Sequence, residues 1–246
     1  MDVKPFENQS GTRKEQVRDM FNEIAGSYDF LNHFLSFNTD KRWRRKLVKK
    51  IKKEIDENSI NNILDIATGT GDLAFALSQL PKTKVTGVDI SVEMLNIARK
   101  KAIRRNSQIE WMEGDSEDLP YENDQFDFVT VAFGVRNFEN LNKGINEIHR
   151  VLKNNGKLYI LEFSKSDRGI FSFCYNLYSK RILPKLASIF TKEPRAYTYL
   201  PNSIAAFPSG DEMLAEMKKS GFSNLSDQKL TAGIARIYRG VKGNNE

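Results

Sequence analysis

The chain has 246 residues, a net charge of +6 and 39% hydrophobic residues, which is enough for one large α/β domain. It contains no run of about 18 apolar residues, so no membrane-spanning helix is expected. Its polar N-terminus lacks the apolar stretch of a signal peptide. With Cys174 as the only cysteine and two histidines, neither a disulfide nor a metal site is expected. These features predict a cytoplasmic protein.

Helical periodicity predicts two N-terminal helices, at 12–35 and 39–55. Nine of the thirteen residues from Lys41 to Lys53 are basic, a density that suits an anionic membrane surface or nucleic acid. A solvated helix face is the preferred interpretation, because apolar residues recur at helical spacing within the cluster. These residues are Trp43, Leu47, Val48 and Ile51.

Apolar runs rich in Ile, Val and Phe then alternate with helical segments. The runs lie at 61–67, 84–90, 109–114, 126–133 and 157–163, and the helices at 71–80, 91–105 and 140–153. Ser91 is the expected N-cap of the helix at 91–105, with acidic Glu93 in its first turn. This alternation predicts a mostly parallel sheet covered by helices on both faces.

The pattern changes after Glu162. Residues 169–192 form an aromatic-rich helical stretch that Pro184 should kink or divide, and 195–207 have the composition of a connecting segment. A helix is predicted at 209–220 and a pair of strands at about 224–242. We predict a single domain over 1–246, with N-terminal helices (12–55), a cofactor-binding core (60–165), a helical insertion (168–207) and a C-terminal helix with strands (208–242).

Three motifs directly follow predicted strands, and ligands of open parallel sheets bind beyond the carboxyl ends of the strands. Gly69 and Gly71 allow a sharp turn that approaches a ligand closely. Asp89 is placed to accept two charge-assisted hydrogen bonds from ribose hydroxyls. Asp115 can accept a hydrogen bond from an adenine amine, while the Ser116 N–H contacts the ring. The motifs together predict an adenosine-bearing cofactor.

The loop from Gly69 to Ala74 also satisfies the dinucleotide fingerprint GxGxxA, which is a weak signal by itself. Two features disfavour a nicotinamide dinucleotide. Asp72 would repel a pyrophosphate at the start of a helix, and Asp115 suits one adenine rather than a second nucleotide. S-adenosylmethionine, which carries a cationic sulfonium and no phosphate, fits both observations.

The chain resembles the class I S-adenosylmethionine-dependent methyltransferases, and specifically the quinone-biosynthesis C-methyltransferases (the UbiE/MenG family). The stretches that carry the resemblance are YDFLN at 28–32 with Leu35, Ser36 and Trp43, DIATGTGD at 65–72, FGVRN at 133–137, RVLK at 150–153 through Gly156 to LEFS at 161–164, and the run from Tyr197 to Ser203. The resemblance extends from about Arg13 to Lys242. It implies a Rossmann-like fold with a mostly parallel seven-stranded sheet, an N-terminal helical cap and a helical insertion.

Two positions depart from the family pattern. Asp40 stands where members usually carry a histidine, which removes a titrating imidazole from that position. Asn154-Asn155-Gly156 replaces the usual Pro-Gly-Gly before the fifth strand. Because asparagine tolerates left-handed backbone conformations, the turn there is expected to survive.

The resemblance implies methyl transfer from S-adenosylmethionine to a ring carbon of a polyprenylated quinol. Demethylmenaquinol is the preferred acceptor, and the benzoquinol intermediate of ubiquinone biosynthesis is the alternative. By analogy with the family, the cofactor contacts are Thr70, Asp89, Asp115 and Ser116.

A quinol carbon becomes nucleophilic when the adjacent hydroxyl loses its proton, so a base or a cation beside the phenolate lowers the barrier. Arg136 is the best-placed cation, unless it pairs with Glu139 at the surface. Glu162 is more readily interpreted as a holder of backbone amides than as the base, whose identity stays open. Further catalytic candidates are Asn137, Tyr197 and Tyr199.

The aromatic stretch 170–190 and the basic cluster 41–53 predict reversible contact with the inner face of a membrane, where a prenyl tail lies. The alternative for 170–190 is a lid over the active site. A basic RNA-binding or RNA-modifying protein is a competing hypothesis, but no RNA-binding module is recognisable and no nucleic-acid partner is expected. Prenyl length and the formation of a homodimer stay open.

Overall fold

The computed structural model describes residues 3–6, 10–165 and 195–243, without the side chains of Leu31, Leu35 and 195–198. The predicted aromatic stretch at 169–192, with Pro184, lies outside these residues. Helix α1 (Arg13–Leu35) begins at a capping box, in which Thr12 and Glu15 each bond the other's backbone amide. Helix α2 (Thr39–Lys52) follows after a short turn. Both helices confirm the predictions.

The sheet formed by the described residues has seven strands in the order β3-β2-β1-β4-β5-β7-β6. Strand β7 runs opposite to the other six strands, so the predicted mostly parallel sheet is confirmed. The strands are β1 (Asn61–Ile66), β2 (Thr83–Asp89), β3 (Glu110–Glu113), β4 (Phe126–Ala132), β5 (Leu152–Phe163), β6 (Phe222–Leu230) and β7 (Ala235–Lys242).

Helices cover the sheet on both faces, and successive strand residues enter different apolar clusters. Ile63 packs with α2 and α3 on one face, whereas Leu64 packs with α5 and α7 on the other. The helices beyond α2 are α3 (Asp72–Leu77), α4 (Val92–Arg105), α5 (Leu141–Val151), α6 (Arg195–Ala206) and α7 (Asp211–Lys219). Ser91 caps α4 by accepting a hydrogen bond from the Met94 amide, as predicted.

Two boundary predictions were wrong. Strand β5 begins at Leu152 instead of residue 157, because Leu152 pairs with Phe126 across a bulge in which Asn155 has a φ of 63°. The left-handed asparagine therefore lies within a strand and not in a turn before it. Residues 195–206 form α6 despite Pro201. Burial of Tyr199, with other α6 residues, outweighs the single backbone hydrogen bond that the proline removes.

Helix α1 belongs to a separate apolar cluster, in which Met20 and Ile24 pack with Met94 of α4 and Tyr199 of α6. In α2 the apolar stripe of Trp43, Leu47 and Ile51 is buried, which confirms the predicted helix face. Within the described ranges, no helix combines the length and apolar character needed to cross a membrane.

Candidate functional site

A cavity that is partly open to solvent lies at the carboxyl ends of β1 to β4. Each of these strands contributes its last residue or one that directly follows it, as expected for an open parallel sheet. Helix α1 closes the cavity with one face, whose members recur at helical spacing. These are Lys14, Val17, Phe21 and Tyr28.

The predicted cofactor residues divide into two groups. The cavity is lined by Gly69, Asp89, Asp115 and Ser116, whereas Thr70 and Gly71 are not among its lining residues. A Cβ on Gly69 would meet nothing within 4 Å, so this glycine leaves open space beside the backbone.

Gly71 and Thr70 fix the glycine loop through contacts with other parts of the protein. A Cβ on Gly71 would lie 2.5 Å from the Trp111 ring, so this glycine makes room for protein packing. The Thr70 hydroxyl donates to Asp29 of α1 and accepts a hydrogen bond from Lys101 at 3.0 Å. Both residues therefore shape the loop, and neither faces the cavity.

Asp89 fixes the glycine loop to the end of β2. Its carboxyl group accepts hydrogen bonds from the amides of Gly69 at 2.7 Å and Ser91 at 2.8 Å. Burial raises the pKa of Asp89 to about 6, and the backbone hydrogen bonds oppose that rise. The ionised carboxylate has lone pairs beyond those two bonds, so it can still accept from ribose hydroxyls.

The charge of this cavity is predominantly negative. Lys14 Nζ lies 2.6 Å from Asp115 Oδ2 and 3.4 Å from Glu117 Oε2. Asp89 and Glu139 add two further carboxyl groups to the lining. Four carboxyl groups face one ammonium, an arrangement that attracts a cationic sulfonium and an α-ammonium group and repels a pyrophosphate.

Asp72 is the first residue of α3, as the sequence argument required, and its side chain is held by a lysine and a histidine. Asp72 pairs with Lys101 at 3.1 Å, lies 3.2 Å from His33 Nε2 and does not line the cavity. His33 Nδ1 lies 2.7 Å from Asp40, so an imidazole from α1 does occupy the position beside Asp40. Arg44 donates to Asp40 as well. The histidine and two carboxylates are close enough to bind a metal, but Arg44 and Lys101 already supply positive charge.

A second cavity adjoins the first, and Phe21, Tyr28 and Phe133 line both. Its lining combines apolar residues with cations and hydrogen-bonding groups. The apolar residues include Met20, Ile24, Phe163 and Leu200, and the polar ones are Asn32, Ser36, Asp40, Arg44 and Arg136. This combination suits an aromatic ring that bears oxygen substituents.

Arg136 is buried at the wall of the second cavity, with 6% of its surface exposed. Its guanidinium donates to Glu162 at 2.8 Å, so the alternative of a surface arginine paired with Glu139 was wrong. Glu162 also accepts hydrogen bonds from the amides of Arg136 and Phe163, which confirms that it holds backbone amides. Arg136 Nε is buried and has no hydrogen-bond partner in the described parts of the chain.

Tyr199 and Asn137 are joined to each other. The Tyr199 hydroxyl donates to Asn137 Oδ1 at 3.2 Å and accepts a hydrogen bond from Arg13 at 3.1 Å. Tyr199 lines the second cavity and Asn137 the first. The predicted Tyr197 side chain lies outside the described residues.

Sequence reasoning missed Tyr28 as a site residue, although the YDFLN run that carries the resemblance begins with it. Its ring lines both cavities. Burial raises the pKa of the Tyr28 phenol, while the charges of Arg136 and Arg44 oppose that rise. The phenol is therefore a protonated donor at the junction of the two cavities.

Comparison with known proteins decides the family. The model of the ubiE/COQ5 methyltransferase family matches residues 9–242. The chain belongs to this family. It is 42% identical to a demethylmenaquinone methyltransferase of Chlorobaculum tepidum, over 93% of each chain. It is 41% identical to a ubiquinone/menaquinone biosynthesis C-methyltransferase UbiE of Geotalea daltonii, over 93% of this chain and 97% of that one.

Solved structures support the fold. A methyltransferase of Thermotoga maritima matches with a TM-score of 0.61 and 21% identity, over 91% of this chain and 99% of that one. The [4+2]-cyclase SpnF matches with a TM-score of 0.68 and 16% identity, over 95% and 97% of the two chains. A cyclase on the same fold shows that architecture alone does not fix the reaction. The family does: the chain is a methyltransferase, and S-adenosylmethionine is its methyl donor.

Proposed function

We propose that this methyltransferase transfers a methyl group to a ring carbon of demethylmenaquinol in menaquinone biosynthesis. The observation that carries the proposal is the junction of two cavities at Tyr28, one lined by carboxylates and the other by Arg136 and aromatic rings. The relatives named demethylmenaquinone methyltransferase favour the naphthoquinol. The UbiE relatives keep the benzoquinol of ubiquinone biosynthesis as the second candidate.

The first cavity would hold the methyl donor, which supplies a methyl group on a positively charged sulfur. In this proposal Asp89 accepts from the ribose hydroxyls, Asp115 accepts from the adenine amine and the Ser116 N–H contacts the ring. Gly69 lets the backbone approach, and Thr70 with Gly71 shapes the loop. Carboxylates around the cavity stabilise the cationic donor more than its neutral product.

The second cavity would hold the quinol ring. Arg136, whose Nε has no hydrogen-bond partner among the described residues, stabilises the phenolate that forms when the ring hydroxyl loses its proton. Tyr199 orients a ring oxygen, and Asn137, which lines the first cavity, assists by accepting a hydrogen bond from Tyr199. The activated carbon attacks the methyl group and the carbon–sulfur bond breaks. Loss of the proton on the attacked carbon then restores the aromatic ring. Alignment and exclusion of water by α1 supply much of the rate.

Substitution of Arg136 tests the assignment. Arg136→Ala should lower kcat by about 100-fold or more, because the developing oxyanion loses its cation. The Kd for S-adenosylhomocysteine should stay within about threefold, since Arg136 lines only the second cavity. Arg18→Ala, at a partly exposed arginine that pairs with Asp19, is the control. Turnover within a few-fold of the unsubstituted protein would overturn the role of Arg136.

The acceptor is tested separately by turnover of demethylmenaquinol and of the benzoquinol carrying the same prenyl tail. We expect the naphthoquinol to have the higher kcat/KM. Equal kcat/KM values would overturn the preference for the naphthoquinol. Reversed values would favour the assignment to ubiquinone biosynthesis. Mass spectrometry of quinones from cells that lack the gene gives a second measurement, in which demethylated naphthoquinone should accumulate.

We extend the proposal to reversible contact with an anionic membrane through the exposed face of α2. Its exposed basic residues are Lys41, Arg42, Arg45, Lys46 and Lys49, followed by Lys52 and Lys53. No carboxylate of the described residues forms an ion pair with them, so their charge is available to lipid headgroups. Each such charge contributes about 1 kcal/mol near an anionic surface.

Vesicle co-sedimentation tests this contact. Arg45→Glu with Lys49→Glu should lower binding to vesicles of mixed anionic and neutral lipid by about tenfold or more, and added salt should do the same. Lys100→Glu with Arg104→Glu on the exposed side of α4 is the control, because it changes net charge equally. Equal losses in both pairs, or binding that ignores salt and lipid charge, would contradict a docking role for α2.

A further inference from the structure

Arg13, the first residue of α1, is buried although it lines neither cavity, with 3% of its surface exposed. Its guanidinium donates to the backbone oxygens of Val3 at 2.8 Å and Arg136 at 2.7 Å, and to that of Phe138. It also donates to the Tyr199 hydroxyl at 3.1 Å. Four acceptors from three separate segments therefore converge on one planar donor group.

Two of these acceptors belong to the turn that carries the proposed catalytic groups. Val135–Asn137 form one turn of 3₁₀ helix directly after β4, and Phe138 is its C-cap. The carbonyls at the end of so short a helix have few partners of their own. Arg13 supplies partners for two of them, those of Arg136 and Phe138.

The third acceptor links α6 to the same turn. Tyr199 accepts from Arg13 and donates to the Asn137 side chain at 3.2 Å. A closed chain of contacts thus runs from Arg13 to the backbone of Arg136, and from Arg13 through Tyr199 to Asn137. The Arg13 amide also donates to Glu139 at 3.1 Å, so the turn is held from both sides of Phe138.

We propose that Arg13 is a positioning residue for methyl transfer. It holds the turn bearing Arg136 and Asn137 against α6, and thereby sets the position of the acceptor ring relative to the methyl group. The inference rests on the proposed function of the second cavity. Because a displacement of about 1 Å can cost about 100-fold in rate, loss of this clamp should act on kcat far more than on binding.

A purely structural role makes a different prediction. If Arg13 only stabilised the fold, its loss would lower the melting temperature and reduce cofactor binding and turnover together. If it positions the turn, cofactor affinity should persist while turnover falls. Among the described residues no hydrogen bond joins Arg13 to Gly69, Asp89 or Asp115, and the Arg13 amide that bonds Glu139 remains in every variant of the side chain.

Three variants separate these cases: Arg13→Met, Arg13→Lys and the control Arg18→Met, five residues further along α1. In Arg13→Met we expect kcat to fall about 10- to 100-fold, with KM and the Kd for S-adenosylhomocysteine each within about threefold. Arg13→Lys should recover much of the loss, because an ammonium still reaches some of the carbonyls. Arg18→Met should match the unsubstituted protein.

Tyr199→Phe provides a second measurement if Arg13→Met does not fold, since it removes only the shared hydroxyl. We expect a smaller fall in kcat, about tenfold, and an effect that is not additive with Arg13→Lys. An unchanged kcat in Arg13→Met, or cofactor binding that falls in step with kcat, would overturn the inference. So would additive effects of Arg13→Lys and Tyr199→Phe.

Hydrogen exchange keeps this inference distinct from the proposed function. Arg13→Met should speed exchange of the Asn137 and Phe138 amides, which bond to Gly134 and Val135, and leave the β4 amides unchanged. If the unsubstituted protein does not methylate demethylmenaquinol, the proposed function fails. If these amides exchange at the original rate, the positioning role fails, whatever the acceptor.

Discussion

The central sheet and α1 are held in place by different interactions. In the sheet, Leu64, Val129 and Ile160 are fully buried, and each packs in a large apolar cluster. Helix α1 has a small apolar cluster and is otherwise tied down by polar contacts along its length. These contacts include Lys14 with Asp115, Asn22 with Ser91, Asp29 with Lys101, and His33 with Asp40.

Because of this difference, the sheet and the helix that covers the site should differ in stability. Apolar burial is cooperative and non-directional, whereas each polar contact can be exchanged for contacts with water at a small net cost. Helix α1 should therefore open without unfolding of the sheet. Because it closes the first cavity and lines the second, its opening gives both substrates a way in.

Hydrogen exchange should show the largest contrast between the two regions. We expect amides in the middle of β1 and β4 to exchange at least about 100-fold more slowly than those of α1, because the strands require global unfolding. S-adenosylhomocysteine should slow exchange in α1 more than in β4. Similar exchange rates for the amides of α1 and β4 would contradict the separate opening of α1.

Truncation of one side chain in each region gives a second test. Leu64→Ala should lower the free energy of unfolding by about 2–5 kcal/mol, since it leaves a cavity in the sheet core. Met20→Ala, at a buried position on the inner face of α1, should shift the main urea transition by less than about 1 kcal/mol. Equal shifts would mean that α1 unfolds together with the sheet.

The pH dependence of ligand binding tests the role of Asp89, one of the polar groups of the site. Below its pKa of about 6 the carboxyl group is protonated, so the affinity for S-adenosylhomocysteine should fall about tenfold between pH 7 and pH 5. Asp89→Asn should bind more weakly at pH 7 and lose this dependence. Asp65→Asn is the control, because burial also raises the pKa of Asp65 to about 6 but this residue does not line the cavity.

The stability of the ligand-free protein should change in the opposite direction. The folded-state pKa of Asp89 lies above its unfolded value, so the protonated form favours folding. This contribution is present below about pH 4 and is lost as pH rises towards 6. Thermal denaturation should show a smaller decline over this range in Asp89→Asn, and an unchanged slope would contradict the raised pKa.

The smallest expected effect comes from Lys14, a partly exposed cation in the cofactor cavity. Lys14→Met makes the lining more negative, so the affinity for S-adenosylmethionine should rise relative to that for the neutral S-adenosylhomocysteine. We expect a change of about two- to fivefold in the ratio of the two Kd values, limited by solvent screening. Lys100→Met is the control, and calorimetry with both ligands gives the ratio; an unchanged ratio would show that cavity charge does not discriminate between them.

The sequence by itself predicted the regular part of the molecule. Strands β1, β2 and β4 and the helices between them follow from local apolar periodicity, and Gly69, Asp89, Asp115 and Ser116 follow because parallel strands end at one edge. The motifs at 65–72 and 133–137 pointed to the family that the comparisons then showed. All of these features depend on residues that are close together in the chain.

Only the tertiary structure decided the contacts that complete the site. Arg136 pairs with Glu162 across 26 positions, Lys14 reaches Asp115 across 101, and Arg13 reaches Tyr199 across 186. No local pattern predicts such pairings, because each depends on how elements that are distant in the chain pack together. The helical state of 195–206 has the same origin, since burial of Tyr199 outweighs a proline that locally favours a break.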